Sequence, residues 1–441
     1  MKSDRQAALE ILLEVENKRA YSNLLINKYS RKYQINESAF IREIVYGVIE
    51  NKIFLDYVIS LFVKRGFNKL RSEVLTILRM GLYQLIFLTG VPPYAAVNES
   101  VQLARKYSKK HSGFVNAVMR NYMRSKENIP LPERKEDIIR YFSIKYSYEP
   151  WMIEEWLRVY PEDFTESLLI AGNKTPEVTV RLNGLKTNSD DLSEMLFRKG
   201  FEVKQGRFVK EALIVKGKNI IDNEFFRQGF YQVQDESSMM AVKALSPEQG
   251  DRVLDICAAP GGKTIFAGEL MADQGRIVAH DIHSHKIKLI DDKAKNHDIH
   301  IIESHIHDAL IYDNNLVDKF DKVLADVPCS GLGVIRRKPE IKYNRKKEEL
   351  KEFTDIQYHM LKNAGDYVRK GGTLVYSTCT IYSSENEGVI RKFLSNNQNF
   401  IVIKPNGDEF KSLKMKDDYV QLFPNIHKTD GFFICKMLKK E

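Results

Sequence analysis

The chain has 441 residues, of which 43% are hydrophobic and 29% charged, and these values exclude an intrinsically disordered protein and a small disulfide-stapled scaffold. Its net charge of +9 comes from the N-terminal region. Residues 1–128 hold 21 Lys and Arg against 11 Asp and Glu, whereas the remaining residues hold 47 Lys and Arg against 48 Asp and Glu. The longest apolar stretch, Leu82 to Leu88, is interrupted by Gln84, which argues against a transmembrane helix. Because the N-terminus also lacks an apolar signal core, we expect a cytoplasmic protein.

The first 128 residues carry helical periodicity. Apolar residues recur at helical spacing in five segments, residues 7–15, 40–48, 54–63, 74–88 and 97–107, and glycines or prolines separate several of these segments. We therefore expect a compact all-α domain at residues 1–128.

The end of this domain is rich in cations. They are interleaved with Tyr107 and Tyr122, and they comprise Arg105, Lys106, Lys109, Lys110, His111, Arg120, Arg124 and Lys126. Basic residues among aromatic residues suit an RNA backbone with unstacked bases nearby. A solvated helix face would show the same cations, but the charge asymmetry of the whole chain favours RNA binding.

A proline-rich linker at Asn128 to Pro132 separates this domain from a middle segment at residues 133–228. The second half of the segment has two strand-like pieces and a helix between them, at Val178 to Leu182, Ala212 to Val215 and Asp190 to Lys199. We expect a small α+β domain here. Arg181 and Asn183 either contact RNA or merely end a strand, and the sequence leaves both interpretations open.

Apolar strands alternate with helices across residues 231–441. The seven strands that we expect lie at Val253 to Ile256, Ile277 to Ala279, His300 to Ile302, Val323 to Ala325, Thr373 to Tyr376, Phe400 to Ile403 and Phe432 to Cys435. This alternation is typical of a mostly parallel sheet that is covered by helices on both faces. Such sheets bind ligands at the carboxyl ends of their strands.

A loop of small residues, Asp255-Ile256-Cys257-Ala258-Ala259-Pro260-Gly261-Gly262-Lys263-Thr264, follows the first of these strands and leads into a helix. Small residues let its N–H groups approach a ligand, and the helix directs a partial positive charge at that ligand. The loop matches neither GxxxxGKS/T nor GxGxxG, which disfavours a phosphate loop and a dinucleotide. Asp281 ends the second strand 20 residues after Gly261, the spacing at which an acid accepts hydrogen bonds from a ribose. The sequence thus predicts a nucleoside-bearing ligand without a pyrophosphate.

Two further acids continue this series along the sheet. Asp308 lies just past the third strand, and Asp326 ends the fourth. Each acid taken alone would pass for a cap or a turn residue. Acids at the ends of successive strands together favour a binding site.

Two of the four cysteines also follow strands. Cys329 lies in Asp326-Val327-Pro328-Cys329-Ser330-Gly331 after the fourth strand, and Cys379 lies in Ser377-Thr378-Cys379-Thr380 after the fifth. If these strands are neighbours, the two thiols meet over one crevice. Lys263 could then hold a thiolate by its charge, and a depressed pKa makes a cysteine nucleophilic. We assign Cys257 and Cys435 to packing, and the absence of a CxxC pair predicts neither a disulfide framework nor a zinc site.

Two other clusters carry weaker signals. Seven of the ten histidines lie between His280 and His307, but no cysteine or carboxylate pattern completes a metal site, so we expect no metal. A basic run follows the Cys329 loop and comprises Arg336, Arg337, Lys338, Lys342, Arg345, Lys346 and Lys347. Its position suits contact with RNA phosphates and a solvated face about equally.

In combination, these motifs resemble the RsmB/Sun (Fmu) family of bacterial 16S ribosomal RNA cytosine-C5 methyltransferases, within the NOL1/NOP2/sun group, along nearly the whole chain. Two further blocks match this family, Gln234-Asp235-Glu236-Ser237-Ser238 and Asp430-Gly431-Phe432-Phe433. The resemblance implies an all-α NusB-like RNA-binding domain at residues 1–128 and a small α+β RNA-binding domain at residues 133–228. It implies a Rossmann-like, seven-stranded α/β methyltransferase domain at residues 231–441.

The resemblance also implies the cofactor and the partners. S-adenosylmethionine is expected with its ribose on Asp281, its adenine near Asp308 and Asp326 at the edge of its site. Its methionine part is expected beside the loop formed by Cys257, Ala258, Ala259, Pro260, Gly261, Gly262 and Lys263. The expected partner is small-subunit ribosomal RNA, and we expect a monomer that needs neither a membrane nor a metal.

The catalytic roles that the resemblance implies follow from the chemistry of cytosine. Its C5 atom is too weak a nucleophile to take a methyl group unaided, so a thiolate must first add to C6. The resemblance assigns this attack to Cys379 and the release of the product to Cys329. It places Asp326 near N3 and N4 of the base, with Lys263 beside the thiolate.

Two other functions stay open at this point. A methyltransferase for a different acceptor, such as tRNA or a protein, would carry the same cofactor motifs. A non-catalytic RNA chaperone or antitermination-like factor could rest on the helical domain, although the intact cysteine pair argues against it.

Overall fold

The computed structural model describes residues 3–18, 20–33, 39–63, 66–125, 129–413, 415 and 417–441. The chain divides into a helical unit, Met1–Lys174 with Ile335–Lys347, and a sheet unit, Thr175–Val334 with Glu348–Glu441. Lys126 of the predicted cation cluster and Asn128 of the predicted linker lie outside the described residues. The division into three domains at residues 128–133 and 228–231 stays a prediction.

The helical unit is built from amphipathic helices, and the first seven of them share one apolar core. Numbered in chain order, they are α1 (Asp4–Lys18), α2 (Ser22–Tyr33), α3 (Ala39–Glu50), α4 (Lys52–Phe62), α5 (Ser72–Phe87), α6 (Pro93–Tyr107), α7 (Ser112–Ser125), α8 (Ile138–Tyr146), α9 (Pro150–Val159), α10 (Glu162–Gly172) and the later α16 (Ile341–Asn344). Leu9, Ile44, Leu55 and Leu78, which carry the helical spacing of the sequence, are fully buried. The predicted all-α character of the N-terminal region is confirmed.

The tyrosines of the cation cluster do not have the predicted exposure. Tyr122 is buried in the helical core, and the Tyr107 hydroxyl donates to the Glu10 carboxylate at 2.7 Å. The prediction that these aromatic rings are available to unstacked bases is therefore wrong, because helix packing takes them up. Lys109 and Lys110 of the same cluster are exposed.

The basic run after the Cys329 loop packs into the helical unit. Glu340 accepts hydrogen bonds from Ser22 N at 3.0 Å and Ser22 Oγ at 3.2 Å. Lys342 is fully buried, and its Nζ donates to the Glu50 carbonyl at 3.0 Å and to Asn173 Oδ1 at 2.6 Å. For Lys342, both predicted alternatives, an RNA contact and a solvated face, are wrong, since its amino group is buried and hydrogen-bonded inside the protein.

The sheet unit begins with a small antiparallel sheet in the order β2-β3-β1-β4. Its strands are β1 (Val178–Leu182), β2 (Glu202–Gln205), β3 (Ala212–Lys216) and β4 (Tyr231–Val233), with helices α11 (Ser189–Arg198) and α12 (Glu224–Arg227). The predicted strands at β1 and β3 and the predicted helix at α11 are confirmed. The mostly exposed β2 and the three-residue β4 were not predicted, because neither has a buried apolar run.

The large sheet has the strand order β10-β12-β9-β8-β5-β6-β7. Its strands are β5 (Arg252–Asp255), β6 (Arg276–Asp281), β7 (Ile302–Ile306), β8 (Phe320–Asp326), β9 (Val368–Thr378), β10 (Phe400–Val402) and β12 (Phe432–Lys439). The central pairs are parallel, whereas β12 pairs antiparallel with both β9 and β10. The Rossmann-like sheet is confirmed, with six predicted strands at their places, whereas the third lies later than predicted, because β7 begins at Ile302 and the prediction was His300 to Ile302. The antiparallel edge at β12 was not predicted, and a short eighth strand, β11 (Val420–Leu422), pairs with β12.

Helices cover both faces of this sheet. They are α13 (Glu236–Leu245), α14 (Gly262–Leu270), α15 (Ser284–His297), α17 (Glu349–Tyr367), α18 (Val389–Asn396), α19 (Asp408–Lys411) and α20 (Pro424–His427). Two apolar cores result, one containing Leu361 and Phe393 and the other containing Met240 and Phe266. In the described part of the chain, no helix has the length and the apolar content that crossing a membrane requires.

Candidate active site

The carboxyl ends of β8 and β9 bring together the predicted catalytic residues. These strands are parallel neighbours, with Asp326 opposite Ser377. The Asp326 carboxylate accepts a hydrogen bond from Ser377 Oγ at 2.7 Å and an ion-paired one from Lys263 Nζ at 2.6 Å. Lys263 reaches this point from the start of α14, so three separate chain segments meet at Asp326.

The two predicted catalytic cysteines are in direct contact. The Cys329 and Cys379 sulfur atoms lie 3.3 Å apart and share a hydrogen bond. This hydrogen bond, burial, and the negative charges at Cys379 and Glu385 together raise the pKa of Cys329 well above its usual range. The arrangement therefore favours a thiol on Cys329 whenever Cys379 is ionised.

The charge of Lys263 is held in place beside these thiols. Burial lowers the pKa of the Lys263 ammonium, but the Asp326 carboxylate and, to a smaller extent, Asp255 and Cys379 raise it by more. Lys263 therefore stays protonated and interacts electrostatically with the Cys379 sulfur. A fixed cation is what a nucleophilic thiolate requires.

The predicted ligand loop connects β5 with α14. Gly261 adopts a φ of +91° immediately before the helix, a conformation that favours glycine, and no side chain caps the first turn of α14. Asp255, buried below the loop, accepts hydrogen bonds from Thr264 Oγ1 at 2.8 Å and Cys257 N at 3.3 Å. Burial, opposed mainly by the Thr264 bond, raises the pKa of Asp255 to about 7. Asp255 thus anchors the loop at both ends, through Cys257 and Thr264.

The remaining predicted ligand acids occupy the expected strand ends. Asp281 ends β6, is largely buried, and accepts from His283 N at 3.0 Å, with Lys286 Nζ 3.5 Å away. Asp308 lies in the turn after β7, where its carboxylate accepts from Leu310 N at 2.9 Å. Burial, followed by the charges of Asp255, Asp326 and Asp281, raises the pKa of Cys257 well above its usual range. Asp255, Asp281 and Asp326 therefore lie near the ligand loop, and the assignment of each acid, Asp308 included, to a ligand stays a prediction.

Arg181 and Asn183 are structural residues, so the alternative that they contact RNA is wrong. Arg181 is fully buried. Its guanidinium donates to both carboxylate oxygens of Glu269, at 3.0 and 2.8 Å, and to the Gly262 carbonyl at 2.8 Å. Asn183 is also fully buried and donates to the carbonyls of Gly229 and His297. Arg181 instead ties the small sheet to the first turn of α14.

Three histidines of the predicted cluster lie on or just after β6 and β7. The ring of the buried His280 lies 4.7 Å from that of His307 and 6.1 Å from that of His305. Burial and then these two neighbours lower the pKa of His280 to about 4. Across the residues that the structure describes, no three His, Cys, Asp or Glu side chains are grouped as a metal ion would need.

The sequence analysis missed a buried polar group behind the two cysteines. Glu385 accepts hydrogen bonds from Ser330 N and from Gln357 Nε2, both at 2.8 Å. Asn386 accepts from Thr378 Oγ1 at 2.6 Å. The only signal for this group is the polar run Ser383-Ser384-Glu385-Asn386 shortly after Cys379, which reads as an exposed turn when its burial is unknown.

Known families match all three parts of the chain. A model of the NusB family matches residues 2–124, a model of the ferredoxin-like domain of RsmF/B-like methyltransferases matches residues 148–222, and a model of the 16S rRNA methyltransferases RsmB/F matches residues 242–438. The chain is similar to the crystal structure of PH0851, with a TM-score of 0.84 and 26% identity over 99% of this chain and 98% of that one. It is also similar to a methyltransferase homolog from Pyrococcus horikoshii, with a TM-score of 0.59 and 27% identity over 68% of this chain and 98% of that one.

Two bacterial relatives are similar along their full lengths. The probable ribosomal RNA small subunit methyltransferase B of Bacillus subtilis is 36% identical over 448 residues, which cover 99% of each chain. The protein of the same description from Synechocystis is 32% identical over 455 residues, which cover 100% of each chain. With this full-length similarity, the three matched domains and the strand-end site described above, the chain belongs to the RsmB/F family of 16S rRNA methyltransferases.

Proposed function

We propose that this protein transfers the methyl group of S-adenosylmethionine to C5 of a cytosine in 16S rRNA through a covalent adduct on Cys379. The observation that carries this proposal is the 3.3 Å contact between the sulfur atoms of Cys379 and Cys329, next to the ion pair of Lys263 and Asp326. An acceptor atom that is already nucleophilic can take the methyl group directly, so a methyltransferase for such an acceptor needs no pair of thiols. The small-subunit substrate is supported by the similarity to the probable ribosomal RNA small subunit methyltransferase B of Bacillus subtilis.

The residues around the ligand loop fit S-adenosylmethionine. The uncapped first turn of α14 offers N–H groups and a partial positive charge to the carboxylate of the methionine part. Asp281 is positioned at the end of β6 to accept from the ribose hydroxyls. When bound, S-adenosylmethionine supplies an electrophilic methyl group on a positively charged sulfur.

Cys379 begins the reaction by adding to the base. Its thiolate, with Lys263 as the neighbouring cation, forms a bond to C6, and the electron pair of the C5–C6 double bond becomes available at C5. Asp326 lies beside Lys263 at the same strand end, where it can hydrogen-bond N3 and N4 of the cytosine. After C5 has taken the methyl group, its proton leaves to a base, the C5–C6 double bond re-forms, and the C6–S bond breaks to return the thiolate to Cys379.

Cys329 is suited to the release step because its protonation depends on Cys379. The hydrogen bond to Cys379 and the charge there are among the causes that raise the pKa of Cys329. Once Cys379 is bound to C6 that charge is gone, so the Cys329 thiol becomes easier to ionise. After its own proton has passed to solvent, the Cys329 thiolate can accept the C5 proton, directly or through water, at the stage when a base is required.

Methylation mapping tests the proposal. We expect the purified protein with S-adenosylmethionine to add a single 5-methylcytosine to 16S rRNA, read by bisulfite sequencing of the RNA incubated with and without the protein. A methyl group found on tRNA or protein instead would identify another acceptor. A protein that binds RNA but not S-adenosylmethionine would support the non-catalytic alternative.

The exposed cations of the helical unit should contribute to RNA binding through phosphate contacts. We expect Lys109→Glu combined with Lys110→Glu to lower the affinity for 16S rRNA about tenfold at 0.1 M salt and to reduce the slope of log affinity against log salt by about 1.5 to 2. Filter binding across a salt series measures both. Lys370→Glu with Lys404→Glu makes the same charge change at exposed positions of the sheet unit, and an equal loss in that control would contradict a specific role for the helical unit.

A further inference from the structure

The loops that carry the two cysteines share a buried carboxylate. Glu385 is fully buried, and its Oε2 atom accepts a 2.8 Å hydrogen bond from the N–H of Ser330, the residue after Cys329. Its Oε1 atom accepts from the hydroxyl of Thr380, the residue after Cys379, at 3.5 Å. One side chain thus contacts the neighbour of each cysteine.

Further hydrogen bonds close this connection. The hydroxyls of Ser330 and Thr380 lie 2.9 Å apart. Gln357 Nε2 donates to Glu385 at 2.8 Å and to the Pro328 carbonyl at 3.0 Å, and the Tyr376 hydroxyl donates to the Glu385 carbonyl at 2.6 Å. Because a carboxylate is costly to bury unless it is hydrogen-bonded, moving either loop away from Glu385 carries a penalty.

We propose that Glu385 is a positioning residue that fixes the Cys329 and Cys379 loops against each other, so that both thiols face the same base. The inference rests on the proposed function for its catalytic meaning. Glu385 would also explain why two cysteines 50 residues apart have their sulfur atoms in contact. This geometry does not depend on the substrate.

The charge of Glu385 adds an electrostatic role to the positional one. After the contact with Cys379 and burial, Glu385 contributes to the raised pKa of Cys329. Lys263 interacts electrostatically with Cys379 from the other side. The Glu385 carboxylate disfavours a negative charge on Cys329, so we expect Cys379 to be the more reactive of the two thiols.

The test measures the reactivity of each thiol in the full-length protein without RNA or S-adenosylmethionine. Iodoacetamide labelling between pH 6 and 9, with the two cysteine peptides separated by mass spectrometry, gives a rate for each cysteine. We expect Cys379 to react faster than Cys329 in the wild type. Glu385→Gln keeps the side-chain shape but removes the charge, and we expect it to shrink the ratio of the two rates about tenfold, which corresponds to about one unit of thiol pKa.

Glu387→Gln is the matched control, because Glu387 lies two residues further along the same turn and its Oε2 atom has no hydrogen-bond partner among the described residues. We expect this variant to keep the wild-type rate ratio. A second variant, Thr380→Val, removes the hydroxyl that contacts both Ser330 and Glu385 and should change the ratio in the same direction by a smaller factor. It keeps the test valid if Glu385→Gln does not fold.

The outcomes separate this inference from the proposed function. An unchanged rate ratio in both folded variants, or an equal change in Glu387→Gln, would overturn the positioning role. A changed ratio in Glu385→Gln together with a wild type that methylates no cytosine would leave the positioning role standing and remove the proposed function. In an active wild type, we expect Glu385→Gln to lower kcat about tenfold while KM for S-adenosylmethionine stays the same.

Discussion

Replacing each of the two site cysteines by alanine should give opposite results. Cys379→Ala should lower turnover by about 10⁴-fold or more, since the nucleophile that activates C5 is missing, and it should form no covalent complex with RNA. Cys329→Ala should still attack and methylate the base, but release of the product should slow by about 10²- to 10⁴-fold. A protein–RNA adduct that survives SDS electrophoresis should therefore accumulate only with Cys329→Ala.

The matched control removes a thiol outside the site. Cys435 is fully buried in β12, and burial raises the pKa of its thiol, so Cys435→Ala should turn over like the wild type and leave no adduct. If Cys379→Ala traps RNA and Cys329→Ala does not, the roles of the two thiols are exchanged. Turnover that survives in both site variants would contradict the covalent mechanism altogether.

The position of this thiol pair was predictable because it follows from local rules. Parallel strands place their carboxyl ends at one edge of a sheet, so residues that follow neighbouring strands must meet there. Cys329 and Cys379 follow β8 and β9, and Lys263 follows β5, the neighbour of β8. A glycine-containing turn before a helix likewise predicted the ligand loop without knowledge of any distant contact.

Residues whose role depends on a distant partner were not predictable. Arg181 resembles a surface cation until Glu269, 88 residues away, is brought against it. Lys342 belongs to a basic run, yet its acceptor at Glu50 lies 292 residues away. Tyr122 is an aromatic residue of the kind that can stack on bases, but its side chain is buried in the helical core. One sequence shows the type of each residue but not its burial, so charged and aromatic residues of this kind were assigned to the surface.

Short strands were missed for a related reason. β4 and β11 contain three residues each, with a glutamine at the centre, whereas the equally short β10 is apolar throughout and was predicted. β4 and β11 are strands because β1 and β12, respectively, provide hydrogen-bonding partners for them. The partner strand, rather than the local sequence, decides their conformation.

Arg181→Met should be among the most destabilising substitutions in the sheet unit. Both partners of the pair are buried, with side-chain exposures of 0% for Arg181 and 3% for Glu269. Glu269 also contacts His297 Nδ1 at 3.0 Å. Removing one partner of a buried ion pair leaves an uncompensated charge and costs about 3–5 kcal/mol. We expect a loss of this size in the free energy of unfolding, measured by urea denaturation of the full chain.

The control is Arg198→Met, which breaks the exposed pair with Glu194, where both side chains are more than half exposed. Such a pair contributes less than about 1 kcal/mol, so this variant should unfold close to the wild-type midpoint. A loss below about 1 kcal/mol in Arg181→Met would contradict the structural role that we assign to the buried pair.

A double variant separates the two tasks of Arg181. Arg181→Met with Glu269→Leu removes both buried charges and should recover most of the lost stability, because apolar replacements of a whole buried pair are often neutral. The hydrogen bond from Arg181 to the Gly262 carbonyl is still missing in this protein, so the first turn of α14 remains less constrained. We therefore expect calorimetry to show S-adenosylmethionine binding about tenfold weaker than wild type even where stability has returned. Full recovery of both properties would mean that the ion pair serves folding alone, and that the ligand loop is positioned by Asp255 and Thr264 without help from the small sheet.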